Sequence, residues 1–326
     1  MREDIVMSIL IPKISEADID QLREPGLTHA KSEILCRMGI FSYFRSEDDI
    51  WGALGDGWNA GEIWLDESIE NQGFAVWNDD VAIISFRGSK STGDWLQNFR
   101  AIFPERHPLA GRRHNGFHDV WLQKSDKVLA IINEKISENS LLWLTGHSLG
   151  GAITVQLASE LIMNPSARVK DYFVMTFGAP RYGNKQFQRA YDNHMMQRHW
   201  FYANQRDPVP HLPPNVMGYR HAGTLKYFSH EGEHLPITKQ EIGLHGASSV
   251  SHHWFALDEE IGSYSQSEQE KMIIDMIQHT ASKEEIILAD DGIRIDDTAG
   301  ELQGDSLWLP SAHDKELYWK RIKALT

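Results

Sequence analysis

The chain has 326 residues, 41% of them hydrophobic, and a formal net charge of −14 at pH 7. The acidic balance argues against nucleic-acid or anionic-membrane binding driven by charge, and no 18-residue apolar run that could span a bilayer occurs in the sequence. The length suits one large α/β domain or two ordinary ones, and 11 tryptophans and 13 phenylalanines predict a large apolar core.

The cysteine content and the first 20 residues bear on the cellular compartment of the protein. Cys36 is the single cysteine, so an intrachain disulfide is excluded. Residues 1–20 mix acidic side chains into their only apolar stretch and lack the apolar core of a secretory signal. We therefore expect a cytoplasmic protein, with export by another route left open.

The first predicted elements are a helix, two strands and a second helix. Residues 27–44 carry apolar side chains at helical spacing. Residues 74–77 and 81–86 are apolar runs separated by Asn-Asp-Asp, which is typical of two strands joined by a tight turn. Residues 116–137 again repeat apolar side chains at a roughly helical period.

The stretch that follows, LLWLTGHSLGGA at residues 141–152, is the most informative part of the chain. It places G-x-S-x-G between an apolar strand and a helix, which is the context of a nucleophile elbow. A serine at such a turn, here Ser148, needs small neighbours, and Gly146 and Gly150 supply them. The start of the following helix points N–H groups at the reacting carbonyl.

Two further apolar runs, at 172–177 and 200–203, follow the elbow helix. Alternating strands and helices imply right-handed crossovers and a parallel central sheet. Residues 228–305 have a less regular pattern, with a capped helix from Ser267 and a hairpin around Asp291-Gly292. The sequence therefore predicts a single α/β domain over residues 1–326, with its motif-bearing core at about 70–227.

A serine nucleophile needs a base and an orienting carboxylate. In α/β-hydrolase topology the acid and then the histidine follow the serine along the chain. Asp207 comes just after the second strand beyond the elbow strand, where this topology requires the acid. The alternative interpretation of Asp207 is a turn aspartate before a proline.

Several motifs together resemble the class 3 lipases, the fungal-type triacylglycerol lipase family with plant and bacterial relatives. They occur in the family's order over roughly residues 70–227. The motifs are Phe86-Arg87-Gly88-Ser89, Asp94-Trp95-Leu96-Gln97-Asn98-Phe99, His114-Asn115-Gly116-Phe117, Thr145-Gly146-His147-Ser148-Leu149-Gly150-Gly151, Phe177-Gly178-Ala179-Pro180-Arg181-Tyr182-Gly183-Asn184 and Asp207-Pro208-Val209-Pro210-His211-Leu212-Pro213.

The resemblance implies an α/β-hydrolase fold, an oxyanion hole and a lid. Ser89 would supply one oxyanion donor and Leu149 the other. The family also places a mobile amphipathic helix after Ser89, here about residues 91–104. Apolar side chains follow one face of that segment, and the alternative is a helix packed permanently on the surface. The lid side chains would be Trp95, Leu96, Phe99, Ile102 and Phe103.

The choice of catalytic histidine stays open between two late candidates. His313 precedes a predicted C-terminal helix, and His-Asp-x-Glu-x-Tyr resembles the segment around the catalytic histidine of plant members. His252 resembles the fungal pattern His-x-x-aromatic but lacks the aspartate usually found before it. We favour His313, although the interval from Asp207 is long.

Three other classes of function have weaker support in the sequence. His230, Glu231 and His234 form H-E-x-x-H, the helical motif of zinc hydrolases, but Gly232 and Pro236 argue against a long helix there. Aspartates around the predicted hairpin lack the spacing of a calcium loop. A non-catalytic interaction protein on a hydrolase fold would be expected to lose the nucleophile or an oxyanion residue, and both are kept.

The sequence therefore predicts a serine hydrolase of acyl esters, most similar to a triacylglycerol lipase, with Ser148, Asp207 and His313 as its triad. Phospholipase A1 or galactolipase activity with the same triad is the alternative. We expect no cofactor and no metal, and a lipid or ester substrate that includes substrate at a lipid–water interface. The oligomeric state is left open.

Overall fold

The computed structural model describes residues 7–65, 72–88, 104–164, 168–169, 171–204, 207, 209–213, 215–228, 234–236, 284–289, 292–297 and 315–324. In chain order the strands are β1 (Met7–Ile11), β2 (Ala60–Trp64), β3 (Gly73–Trp77), β4 (Val81–Phe86), β5 (Pro104–Arg106), β6 (Arg112–His114), β7 (Leu141–His147), β8 (Tyr172–Phe177), β9 (Gly183–Asn184), β10 (His199–Asn204), β11 (Tyr219–Arg220), β12 (Thr224–Phe228), β13 (His234–Pro236), β14 (Glu284–Ala289) and β15 (Gly292–Asp297). The α-helices are α1 (Glu16–Leu22), α2 (His29–Phe41), α3 (Glu47–Leu54), α4 (Asn115–Leu122), α5 (Ser125–Ala130), α6 (Leu149–Met163), α7 (Lys185–Met195) and α8 (Lys315–Lys323).

The central sheet has eight strands in the order β13-β12-β10-β8-β7-β4-β3-β2. Its middle strands, β4, β7, β8, β10 and β12, run parallel to one another. Antiparallel pairs close both ends, with β2 and β3 on one side and β13 on the other. The prediction of a mostly parallel α/β sheet is therefore confirmed.

Apolar cores lie on both faces of this sheet, because successive residues of a strand point to opposite faces. On β4, Ala82, Ile84 and Phe86 belong to the core under α4 and α6. Val81 and Ile83 belong to the opposite core, under α2, α3 and α8. All seven residues of β7 are buried, so the strand that leads to Ser148 lies in the middle of the protein.

The C-terminal helix α8 packs on α2, on the side of the sheet opposite to α6. Trp319 donates a hydrogen bond from its indole nitrogen to the Glu33 carboxylate on α2, at 2.7 Å. Glu33 also accepts a hydrogen bond from Arg37, at 2.8 Å. The last helix is thereby fixed against one of the first, which brings the end of the chain next to the carboxyl ends of the central strands.

Two smaller sheets accompany the central one. The predicted hairpin is confirmed as β14 and β15, and β1 pairs antiparallel with β15 on its other side. The sequence does not predict this partner, since residues 7–11 show no local signal for a pairing almost 300 residues away. Strands β11, β9, β6 and β5 form a four-stranded sheet.

The predicted helix at 116–137 is divided in the structure. It consists of α4, α5 and a π-helical turn at Ile131–Lys135, and the break lies at Lys124, with φ −131° and ψ −6°. Apolar spacing alone misses this break, because Val120 and Val128 enter the same core from both sides of it. The predicted helix from Ser267 lies outside the described residues. Among the described helices, none is long and apolar enough to cross a membrane.

Candidate active site

Ser148 lies at the turn between β7 and α6, as a nucleophile elbow requires. Its φ of 58° and ψ of −129° make it the one non-glycine residue of the described part of the chain with positive φ. Such a conformation is strained for a residue with a side chain and persists because its surroundings hold it. Ser148 donates its backbone N–H to the Phe177 carbonyl at 2.9 Å and accepts from the Gly151 N–H at 2.9 Å.

The glycines around Ser148 are required by close backbone packing. A Cβ built on Gly146 would lie 2.5 Å from the carbonyl carbon and oxygen of Gly150. A Cβ on Gly150 would collide with the backbone of Phe86, at the end of β4. The two glycines therefore let β4, β7 and α6 approach one another closely beside Ser148. This agrees with the prediction that a serine at such a turn needs small neighbours.

The predicted oxyanion donors belong to the end of β4 and the start of α6. Leu149 is the first residue of α6, and the first N–H groups of a helix have no acceptor within it. Gly88 lies against the nucleophile, since a Cβ placed on it would be 2.9 Å from the Ser148 Cβ. Ser89 follows Gly88 directly but lies outside the described residues, so its donor role stays a prediction.

Asp207 is three residues beyond β10 and fully buried. Its Oδ1 accepts a hydrogen bond from the Val209 N–H at 2.9 Å. Its own N–H donates to the Asn204 carbonyl at 3.1 Å. A turn aspartate without another role would be expected at the surface, so this burial favours a carboxylate that serves another group of the site.

Tyr318 contacts the Asp207 carboxylate, and the sequence does not predict this contact. From α8 it donates a 2.6 Å hydrogen bond to Asp207 Oδ2 and accepts one from the Asn204 N–H at 3.0 Å. Burial raises the pKa of Tyr318 well above its ordinary value, and the charge of Asp207 and the hydrogen bond to it act in the same direction. The phenol therefore keeps its proton and remains a donor. The sequence signals for Tyr318 were its place in the His-Asp-x-Glu-x-Tyr segment and its position on the predicted C-terminal helix.

Several predicted site residues lie outside the described residues. They include both candidate histidines and the predicted lid, apart from Pro104, the last residue of the lid range, which begins β5. These residues are His313, His252, Trp95, Leu96, Phe99, Ile102 and Phe103.

The structure contradicts the zinc-hydrolase interpretation of H-E-x-x-H at its second histidine. His234 begins β13, which pairs antiparallel with β12 through Phe228. The motif requires both histidines on one face of a helix, four residues apart. A strand at His234 removes that arrangement, and Pro236 at the end of the strand is consistent with an edge position.

Comparisons with known proteins agree with this geometry. The family model described as Lipase (class 3) matches residues 83–217. The lipase of Rhizomucor miehei is 31% identical over 153 residues, which are 45% of this chain and 41% of that protein. Phospholipase A1-II 5 of Oryza sativa subsp. indica is 24% identical over 229 residues, which are 59% of this chain and 49% of that protein. The chain thus spans less than half the length of these two relatives.

Among solved structures, the triacylglyceride lipase of Rhizomucor miehei matches with a TM-score of 0.52 and 20% sequence identity. The match covers 76% of this chain and 96% of that chain. It extends well beyond residues 83–217, so the shared architecture includes elements on both sides of the matched motifs. The predicted α/β-hydrolase fold is therefore confirmed.

Proposed function

We propose that the protein is a serine hydrolase of carboxylic esters with acyl chains, because residues 83–217 match the family model described as Lipase (class 3). The observation that carries this proposal is the pairing of a strained serine at the elbow with a fully buried aspartate after β10. These are two members of a Ser-His-Asp triad in the required chain order.

In the proposed reaction, Ser148 Oγ attacks the ester carbonyl carbon while the histidine takes the hydroxyl proton. The resulting oxyanion accepts hydrogen bonds from the N–H groups of Ser89 and Leu149. The histidine then gives its proton to the leaving alcohol, and the acyl group stays on the serine. Water, activated by the same histidine, releases the fatty acid, while Asp207 orients and balances the imidazolium.

We propose His313 as this histidine. Tyr318 lies five residues after it and contacts the Asp207 carboxylate directly. Helix α8 begins at Lys315, two residues after His313. The contact of α8 with Asp207 therefore favours a base from this end of the chain.

Hydrolysis of p-nitrophenyl esters from acetate to palmitate tests this proposal, on the wild type beside His313→Ala and His252→Ala. We expect His313→Ala to lower kcat by about 10³-fold or more and His252→Ala to stay near the wild type. Loss of activity in His252→Ala alone would keep the chemistry and reverse the choice of histidine. A wild type that cleaves no ester of the series would favour the non-catalytic interaction protein.

For the substrate we propose triacylglycerol-like esters, with phospholipase A1 activity as the second candidate because a named phospholipase A1 is among the relatives. Fatty-acid release from a triolein emulsion, compared with release from phosphatidylcholine vesicles, separates the two. We further propose that residues 91–104 act as a lid, so that activity rises when a substrate passes from dissolved monomer to emulsion. A rate that does not rise at that point would contradict the lid.

A further inference from the structure

Tyr43 precedes residues 83–217, which match the family model. Its hydroxyl nevertheless contacts two residues that lie next to Ser148 in the structure. It lies two residues after α2, where its backbone N–H donates to the Ile40 carbonyl at 3.0 Å. Its Oη accepts a hydrogen bond from the Gly88 N–H at 3.2 Å. The same Oη lies 2.9 Å from His147 Nδ1.

These two contacts connect the end of β4 with the end of β7. The two strand ends must keep a fixed position relative to each other for catalysis. Gly88 directly precedes Ser89, the predicted oxyanion donor, at the end of β4. His147 directly precedes Ser148 at the end of β7. Because Oη already accepts from Gly88, its own proton is available for the imidazole nitrogen, so one hydroxyl satisfies both groups.

Packing around Gly88 shows how little room this arrangement leaves. A Cβ built on Gly88 would collide with Tyr43 Oη and lie 2.9 Å from both the His147 carbonyl oxygen and the Ser148 Cβ. The phenol oxygen, the glycine and the nucleophile are therefore packed against one another. A shift of the hydroxyl would move the peptide that leads to Ser89 relative to Ser148.

The ring of Tyr43 is also in contact with the guanidinium group of Arg87. The guanidinium carbon of Arg87 lies 4.8 Å from the ring centroid, and Arg87 donates a hydrogen bond to the buried Gln72. Burial lowers the pKa of Arg87 to about 10, with Arg45 acting in the same direction and Tyr43 against it. The cation therefore stays charged at neutral pH and favours the ring face by a cation–π interaction.

We propose that Tyr43 is a positioning residue for the hydrolytic reaction: by bridging Gly88 and His147, its hydroxyl fixes the peptide that leads to the predicted donor Ser89 relative to Ser148. This inference rests on the proposed function. Displacement of a reacting group by about 1 Å can lower a rate by about 100-fold, and loss of one oxyanion donor by about 100- to 1000-fold. Loss of the bridge is expected to lower the rate by about 100-fold or less.

The test is Tyr43→Phe, assayed with p-nitrophenyl butyrate and with diethyl p-nitrophenyl phosphate, a reagent that phosphorylates the serine. We expect kcat and the phosphorylation rate constant to fall by about 10- to 100-fold, while KM changes by less than about threefold. Tyr202→Phe is the matched control, because Tyr202 is fully buried and donates its hydroxyl to Ser32 on α2 at 2.7 Å. It should keep kcat within about twofold of the wild type at a similar loss of Tm.

A second variant, Arg87→Lys, keeps the charge but removes the planar group over the ring. It should lower kcat in the same direction, by about 3- to 10-fold. Full kcat in Tyr43→Phe beside an active wild type would overturn the inference alone. Equal losses of kcat in Tyr43→Phe and Tyr202→Phe would also overturn it, as they would indicate a structural effect only. A wild type that hydrolyses no ester would overturn the proposed function, and this inference with it.

Discussion

At the scale of single residues, the site consists of groups whose positions are fixed by buried polar contacts. Asp207 has no exposed surface and binds two donors from different parts of the chain, Val209 and Tyr318. A buried carboxylate without such partners would be strongly destabilising. Tyr318 therefore stabilises the buried carboxylate and, in the proposed triad, fixes the direction in which it faces the histidine.

Tyr318→Phe is expected to weaken both catalysis and stability. A hydrogen bond to a charged group contributes about 1.5–3 kcal/mol, so we expect the free energy of unfolding to fall by about that amount in urea. We expect kcat/KM for p-nitrophenyl butyrate to fall by about 10- to 100-fold, because Asp207 would lose one of the bonds that orient it. Wild-type kcat/KM in this variant would show that the Tyr318 hydroxyl does not orient the acid.

At the scale of elements, α6 packs over a network of polar side chains in which the imidazole of His107 must stay uncharged. His107 is buried between the start of β6 and α6, accepts a hydrogen bond from the Leu109 N–H at 3.1 Å, and lies 3.1 Å from Ser159 Oγ. Burial lowers the pKa of His107 to about 3, with Arg113 and His118 acting in the same direction. Burial alone lowers the pKa of His114 to about 4.

These two histidines predict a loss of stability in mild acid. Their pKa values in the folded protein lie below the value of about 6.5 in the unfolded chain, so between the two values the unfolded chain binds more protons. The stabilisation is complete above pH 6.5 and is lost as pH falls from there. Each group contributes about 1.4 kcal/mol per pH unit to the change in the free energy of unfolding.

Urea unfolding at pH 7.5, 6.5, 5.5 and 5.0 measures how the free energy of unfolding depends on pH. His107→Gln should reduce the slope of this dependence by about one proton. A wild-type slope in that variant would contradict the assignment.

Sequence patterns predicted the elements that combine a strong local signal with a turn motif. The elbow, the antiparallel pair β3 and β4, the later strands β8 and β10, and the helix after His313 follow from apolar spacing and glycine positions. The break at Lys124 and the pairing of β1 with β15 do not, because both depend on packing between distant segments. Tyr43 and Tyr318 were missed for the same reason: a tyrosine on a helix end or face carries no local sign of its distant partner.

At the scale of the whole molecule, the site is held together by contacts that the matched motifs do not contain. Helix α2 packs against α8 and ends near Tyr43, so one N-terminal helix adjoins both the helix that contacts Asp207 and the tyrosine that contacts Gly88. The single-domain organisation over residues 1–326 and the cytoplasmic location stay predictions. The fold itself brings Ser148 and Asp207 to the carboxyl ends of the central parallel strands, which is the usual position for a site in an open α/β sheet.

The central claim is that Ser148 is an activated nucleophile, and labelling with diethyl p-nitrophenyl phosphate tests it most directly. Mass spectrometry of the intact protein, followed by peptide mapping, should find one diethylphosphoryl group per chain, on the peptide that contains Ser148. Ser148→Ala should take up none while keeping the wild-type circular dichroism spectrum. An unlabelled wild type, or an adduct on another residue that persists in Ser148→Ala, would contradict the account.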